Sequence, residues 1–291
     1  MGENDVSVIL PACNEAGSIG TLVSRIRHLY PDYEVIVVND GSSDETADVA
    51  REAGALVYSH PYNVGNGAAV KSGIRIASGE ILVFMDGDGQ HNPEDIARLL
   101  EPFPEYDMAV GARPHGRQSS LIRGVGNRFL NWLASYVAKF GVQDLTSGFR
   151  AVKAETVRRF LSLLPNTYSY PTSLTLGVLR EGWCVKYIPV NVRARTGGRS
   201  RIRLLRDGSR FIMIIAKICT LYSPLRIFLP VSLFAFLLGL GYYIYTFITM
   251  GRFTNMSALL FTTSVIIFMM GLVSEQITQM RFEGNERDHF N

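Results

Sequence analysis

The sequence predicts an α/β fold: a mainly parallel sheet with helices on both faces, followed by interface helices and a two-helix transmembrane hairpin. Three observations predict it. Short apolar runs alternate with helical periodicities through the first half of the chain, as they do when strands are joined by covering helices. Residues 227–250 and 256–277 are almost free of charge, and each is about long enough to cross a ~30 Å hydrocarbon core as helix. Between the two regions lies the most basic part of the chain, residues 193–201.

Composition fits this division. With 291 residues, 47% of them hydrophobic, and a mean hydropathy of +0.13, the chain is too apolar for an ordinary soluble enzyme and too charged for a polytopic membrane protein. The expected parts are a cytosolic α/β domain over 1–195, juxtamembrane amphipathic helices over 196–226, spans over 227–250 and 256–277, and a cytosolic tail over 278–291. Cys13, Cys184 and Cys219 are scattered without metal-type spacing, so neither a disulfide framework nor a zinc site is expected, and a reducing compartment fits. The polar start runs straight into a strand pattern, so no signal peptide is expected. A net charge of +3 does not imply nucleic acid, because the arginines concentrate just before the spans.

Taken in order, residues 6–10 form an apolar run ended by Pro11, and Ile19, Leu22, Val23, Ile26 and Leu29 recur at helical spacing, with Ser18 as N-cap. The unit repeats over 34–38 and 45–53, then over 55–58 and 68–77, and residues 81–85 supply a fourth strand. Ligands of such sheets bind outside the carboxyl ends of the strands. Three polar loops stand there: residues 11–15, 39–44 and 86–91. The last follows ILVFM as DGDGQH, so Asp86 and Asp88 stand at the end of a buried strand, two apart and able to face the same way, with Gly87 removing the side chain that would crowd a ligand. Hard oxygen ligands suit Mg²⁺ or Mn²⁺, and a partly filled shell suits a diphosphate substrate. A plain surface turn and a dehalogenase-type aspartyl nucleophile are the competing readings; the second normally lies early in a chain, whereas two strand and helix units come first here.

Asp40, at the end of the second strand, is placed to hold a ribose hydroxyl or a base. Asn63-Val64-Gly65-Asn66-Gly67 opens a helix carrying Lys71 and brings backbone N–H groups toward phosphate, although Val70 replaces the third glycine of a dinucleotide fingerprint and a simple loop is the plain alternative. Pro93, Glu94 and Asp95 start a helix, and residues 108–111 read as a strand. Arg113, Arg117, Arg123 and Arg128 mark a basic loop before a helix near 129–140, and suit solvent, anionic headgroups or a phosphate. Residues 144–150, DLTSGFR, precede another helix, and 183–192 reads as a strand whose Pro189 indicates an edge. Continued as helix, Arg199, Arg203, Arg206 and Arg210 share one face and Ile202, Leu205, Ile212 and Ala216 another, as in a helix lying in the membrane interface. Ordinary juxtamembrane arginines are the plainer reading.

With these motifs in place, the chain resembles the family 2 glycosyltransferases of GT-A (Rossmann-like) fold, and among them the polyprenyl-phosphate hexose synthases of the dolichyl-phosphate mannose synthase type. Pro11 to Glu15 looks like the family's P-x-x-N-E, Asn39 to Asp44 like D-D-G-S-x-D, Asp86 to His91 like D-A-D-L-Q-H, and Ser147 to Arg150 like S-G-F-R. Asn39, Gly87 and Gly89 depart from the pattern. The resemblance implies that Pro11, Asn14, Glu15 and Asp40, with Lys71, bind the nucleotide. It implies that Asp86, Asp88 and Gln90 surround Mg²⁺ or Mn²⁺, and that Arg113, Arg123, Arg199 and Asn127 hold a lipid phosphate. Asp144 is a further candidate.

The implied function is a membrane-bound, inverting hexosyltransferase. Its donor is a UDP- or GDP-sugar and its acceptor a polyprenyl (dolichyl or undecaprenyl) phosphate. An acceptor phosphate is already ionised near neutral pH, so positioning by arginine forks replaces proton abstraction. Expected partners are donor, lipid acceptor, membrane and a second copy through the spanning helices, with no nucleic acid. Both termini would be cytosolic, at the cell membrane or an endomembrane. The alternatives are a different acceptor or a non-catalytic membrane scaffold. A processive polysaccharide synthase would add Q-x-x-R-W and more spans, and a sugar nucleotidyltransferase would add a glycine-rich N-terminal loop.

Overall fold

The computed structural model describes residues 5–113, 128, 131, 132, 134–136, 138–191 and 224–287, the last helix with side chains to 280. Seven strands make one sheet: β1 (Val6–Ala12), β2 (Glu34–Asn39), β3 (Leu56–Ser59), β4 (Ile81–Phe84), β5 (Met108–Ala112), β6 (Arg150–Lys153) and β7 (Val185–Pro189). Their order is β3-β2-β1-β4-β6-β5-β7. Neighbours β1–β2, β2–β3, β1–β4 and β5–β7 are parallel, and β6 runs antiparallel to both β4 and β5. Helices α1 (Ala16–Leu29), α2 (Thr46–Glu52), α3 (Asn66–Ile76), α4 (Asp95–Leu100), α5 (Ala154–Arg159) and α6 (Tyr170–Arg180) accompany the sheet.

Strands β1 and β4 are buried along their whole length, which explains their unbroken apolar runs: both faces are covered. On one face Val8 and Leu10 pack with Val35, Val37, Val83 and the stripe Ile19, Leu22, Val23 and Ile26 of α1. On the other, α3 approaches so closely that a Cβ on Gly73 would lie 2.4 Å from Ile9 Cγ2. β7 ends at Pro189 and forms the sheet edge, where a missing N–H costs no ladder bond.

Three local expectations are corrected. β1 does not stop before Pro11. Met85 N–H donates to Ile9 O and Gly87 N–H to Pro11 O, so Pro11 stays bonded to the chain leaving β4 through its carbonyl, which does not need the missing N–H. α1 starts at Ala16 with Glu15 as its N-cap residue, and the Ser18 hydroxyl bonds back to Glu15 O instead of capping. The segment 144–150 leads first into strand β6 and only then into α5. Of the helix expected near 129–140, the described residues 128, 131, 132, 134–136 and 138 are helical. The amphipathic helix expected from Arg199 to Ala216 lies outside the described residues.

The chain divides into two compact units, residues 1–204 and 205–291. In the second, α7 (Leu225–Met250) and α8 (Asn255–Arg287) pack along small residues: Ser232, Gly239 and Thr246 on one helix, Ser257, Ser264, Gly271 and Thr278 on the other, each series at intervals of seven. Small side chains let helix backbones come close where lipid gives no hydrophobic drive. A Cβ on Gly271 would meet Phe228 Cβ at 2.6 Å, and one on Gly239 would meet Leu260 Cβ at 3.0 Å. Glu275 Oε2 accepts the Leu225 N–H at 3.2 Å, satisfying an orphan donor in the first turn of α7 from the far end of α8. The outward faces expose Phe234, Ile248 and Met280, and both helices carry 26-residue apolar stretches long enough to span a bilayer. Gly271→Leu is expected to overpack this seam, with a cost of roughly 1 to 3 kcal/mol. Thermal unfolding in detergent should shift down accordingly, and a midpoint equal to wild type would refute the seam.

Candidate active site

Because β1, β2 and β4 are parallel, their carboxyl ends open on one edge, and the three loops that leave them are stitched together. Asp40 N–H donates to Ala12 O at 2.9 Å, and Asn14 N–H donates to Ser42 Oγ at 3.0 Å. Ser43 N–H returns a bond to Asn14 Oδ1 at 2.8 Å, and Glu15 N–H donates to Thr46 Oγ1 at 2.9 Å. The Ser18 hydroxyl donates to Gly87 O at 2.9 Å, joining the start of α1 to the DGDGQH loop. Pro11, Asn14, Glu15, Asp40, Asp86, Asp88 and Gln90 are thereby gathered at one sheet edge, with Asn14 exposed and in the left-handed region at φ 58°.

Asp40 is turned inward. Only 3% exposed, its Oδ1 accepts Val64 N–H at 2.9 Å and lies 2.8 Å from His60 Nδ1, while Oδ2 accepts Gly65 N–H at 2.9 Å. His60 Nε2 in turn lies 2.9 Å from Ser72 Oγ on α3. The carboxylate therefore braces the 63–67 loop. Gly65 is required in that loop: its φ is +119°, and a Cβ would come within 2.3 Å of Asn166 O. Lys71 donates to Leu164 O at 3.1 Å, tying α3 to the turn after α5, and burial, then Arg75, lowers its pKa.

Asp86 and Asp88 are both half-buried at the end of β4. Asp88 Oδ1 accepts Gln90 N–H at 3.1 Å, across a turn that Gly89 makes at φ +70°. Gly87 is needed for a reason other than ligand space, since its Cβ would point into protein, 3.1 Å from Pro11 O and 3.2 Å from Ala12 Cβ. Next to this turn His91 is 9% exposed, stacks on Phe149 at 4.9 Å between centroids, and its Nδ1 has no hydrogen-bond partner among the described residues. Burial pushes its pKa down from the usual 6.5 to about 4, the Arg113 charge assisting and the Asp88 and Asp144 charges opposing.

Arg113 forms a forked pair with Asp144, Nε to Oδ2 at 2.7 Å and Nη2 to Oδ1 at 3.0 Å, and Nη2 also donates to Thr146 Oγ1 at 2.8 Å. Burial pulls the Asp144 pKa upward, but the hydrogen bonds and charge of Arg113 outweigh it and hold the carboxyl below its ordinary range. Arg117, Arg123, Asn127 and Arg199 lie outside the described residues, and Arg128 is exposed. Among the described residues no three His, Cys, Asp or Glu side chains cluster as a metal site. As metal ligands Asp86, Asp88 and Gln90 offer carboxylate and amide oxygens, too few to fill a shell. That set fits a hard divalent cation that keeps water and phosphate as its remaining ligands.

Residues 7–161 match Glycosyl transferase family 2, and residues 223–280 match the GtrB C-terminal hairpin. The chain belongs to glycosyl transferase family 2. Polyprenol monophosphomannose synthase of Mycolicibacterium smegmatis is 31% identical over 67% of this glycosyltransferase and 80% of the relative. Undecaprenyl-phosphate mannosyltransferase of Micrococcus luteus is 29% identical over 68% and 87%. The putative glycosyltransferase CsbB of Bacillus subtilis is 27% identical over 100% of this chain and 92% of its own. Among solved structures, glucosyl-3-phosphoglycerate synthase from Mycobacterium tuberculosis, in complex with Mn²⁺ and uridine-diphosphate-glucose, has a TM-score of 0.60 at 25% identity, covering 75% of this chain and 78% of that one. The family match extends over both the DGDGQH loop and the 144–150 segment, and the second match covers α7 and most of α8.

The buried imidazole of this family 2 chain gives a pH prediction. A base whose folded pKa lies below its unfolded value contributes full stability above about pH 6.5, and that contribution is lost as the pH falls toward 4, up to about 3 kcal/mol in all. His91→Phe keeps a ring on Phe149 and removes the titration. Melting temperature between pH 7 and pH 4 should therefore fall less steeply for the variant, and parallel curves would refute a neutral buried His91.

Proposed function

We propose that the protein is a membrane-bound inverting glycosyltransferase that moves a hexose from a UDP- or GDP-sugar to a polyprenyl (dolichyl or undecaprenyl) phosphate, with Mg²⁺ or Mn²⁺ as cofactor. The observation that carries this reading is the pair Asp86 and Asp88 at the carboxyl end of β4, on a chain that also bears a membrane hairpin. Two relatives named for transfer to polyprenol or undecaprenyl phosphate support it, as does the solved relative bound to Mn²⁺ and uridine-diphosphate-glucose.

In this reading Asp86, Asp88 and Gln90 hold the cation, and Pro11, Asn14 and Glu15 line the donor nucleotide. The cation, when bound, supplies positive charge to the leaving nucleoside diphosphate. Asp40 and Lys71 act behind them, setting the backbone of the 63–67 loop and α3 instead of touching the donor through their charges. Arg113, fixed by Asp144, presents its remaining N–H groups to phosphate, and Arg123 and Arg199 serve the acceptor from segments outside the described residues. The catalytic part spans 1–195, residues 196–226 lie along the membrane interface, and outward faces of the hairpin allow self-association. The acceptor phosphate attacks the anomeric carbon in a single displacement, with inversion.

Asp88→Ala is expected to abolish transfer from nucleotide sugar to undecaprenyl or dolichyl phosphate while the melting temperature stays near wild type, and EDTA should do the same to the unaltered protein. Turnover that persists in either case would refute the metal role. Thermal shift with UDP- and GDP-sugars in Mn²⁺ should show which base is taken.

Topology is tested separately. The arginines of 193–226, with Arg281 and Arg287 after the second span, support a topology with both termini in the cytosol and only the turn near Arg252 outside. Single cysteines introduced at 253 and at 289 in a cysteine-free chain should be labelled from outside intact cells only at 253. Labelling at 289 would overturn the orientation.

A further inference from the structure

Arg150 is the largest fully buried side chain among the described residues, at 0% exposure, and it opens β6 between β4 and β5. Nε donates to Ser147 O at 3.2 Å, and Nη1 donates to Pro171 O at 2.8 Å and to Thr175 Oγ1 at 3.1 Å; Nη2 also bonds to Ser147 O. Every one of these acceptors is neutral. A buried cation is costly unless it is well hydrogen-bonded, so a guanidinium at a position where an apolar side chain would pack calls for a local reason.

The register supplies one. Phe84 on β4 lies opposite Arg150 on β6 in an antiparallel pair. Extending the pairing two residues beyond each strand sets Asp86 opposite Gly148. A Cβ on Gly148 would fall 2.8 Å from Asp86 Oδ2, and 3.3 Å from both Cγ and Oδ1. The absent side chain is thus the space in which the Asp86 carboxylate lies. Arg150 grips the carbonyl of Ser147, the residue just before Gly148, and so fixes the height of that backbone over Asp86. The same segment carries Asp144 and Thr146, which hold Arg113.

We propose that Gly148 and Arg150 are positioning residues for the metal-binding carboxylate: Gly148 provides the gap that Asp86 occupies, and Arg150 locks the segment that defines the gap. The inference rests on the reading of Asp86 as a metal ligand. A methyl group at 148 would meet the movable end of a short side chain, not backbone, so the displacement falls on the position of the carboxylate and little of it on the fold.

The test measures Mn²⁺ binding by electron paramagnetic resonance on the full chain in detergent, without donor, for wild type, Gly148→Ala and Gly141→Ala. Gly141 is the control, since a Cβ there meets nothing within 4 Å. The expected result is a melting temperature close to wild type for both variants, with Mn²⁺ affinity lowered about tenfold or more in Gly148→Ala alone, the size found when groups that orient metal ligands are altered. The metal concentration giving half-maximal turnover should rise by the same factor, with kcat at saturating Mn²⁺ changing less. Should Gly148→Ala not fold, Arg150→Lys, which keeps the charge and loses the fork to Ser147, carries the same measurement and the same expected loss. Wild type that binds no Mn²⁺ would sink the metal reading itself. Wild type that binds it while the folded variant binds it equally well would sink the positioning role and leave the metal reading standing.

Discussion

Strand β6 enters the sheet antiparallel beside β4, and most of what the site can do follows from that reversal. The parallel strands β1, β2 and β4 deliver their loops to one edge, but a parallel neighbour beside β4 would also carry its own outgoing loop there and would need a crossover to reach it. An antiparallel strand brings its incoming segment to the same edge instead. Residues 144–149 therefore arrive over the end of β4 from the opposite direction, and Gly148 comes to rest against Asp86. The insertion also separates β4 from β5, whose continuation carries Arg113 to Asp144.

The charged groups around this edge are nearly all committed before a substrate arrives. Asp40 is saturated by loop N–H groups and His60, Asp144 by the Arg113 fork, and Arg150 by carbonyls and a hydroxyl. Low local dielectric makes each of these contacts costly to break, so the loops are held at fixed height relative to one another. Preorganisation of this kind suits a reaction whose barrier lies in charge developing on a leaving diphosphate, because no dipole has to turn at the moment of transfer.

Much of the fold could be read from the sequence because burial on two faces leaves an unbroken apolar run, as in Val8-Ile9-Leu10 and Ile81-Leu82-Val83-Phe84, and because α1 repeats its buried residues at helical spacing. β6 was not legible. It has four residues, one of them an arginine, and a buried guanidinium looks the same in sequence as a solvated one. The loops that meet at the site were marked by their motifs, but the direction of a side chain was not: Asp40 and Lys71 turn toward protein, and Gly87 makes room for β1 and α1. His60 escaped notice because its partners lie 20 residues before it and 12 after, a separation that only the β2–β3 pairing and the packing of α3 bring to contact. The seam of small residues at intervals of seven along 232–246 and 257–278 was present in the sequence as a readable pattern, hidden by the stronger signal of overall hydropathy.

The chemistry of the acceptor bears on which groups this edge contains. Transfer to a sugar hydroxyl needs a base near neutral pH, positioned and free to take a proton. The His91 imidazole, beside Asp88, has its pKa pushed to about 4 by burial, which makes it a weak base. The buried Asp144 is held below its ordinary range and forked to Arg113. A phosphate acceptor needs neither, because it arrives ionised, and its requirement is a fixed cation at the right distance. Arg113, held by the Asp144 fork in the segment that leads into β6, offers a fixed cation, and a guanidinium does not abstract protons. Under the proposed reading, the Arg113–Asp144 fork answers the need of a phosphate acceptor, which attacks without giving up a proton.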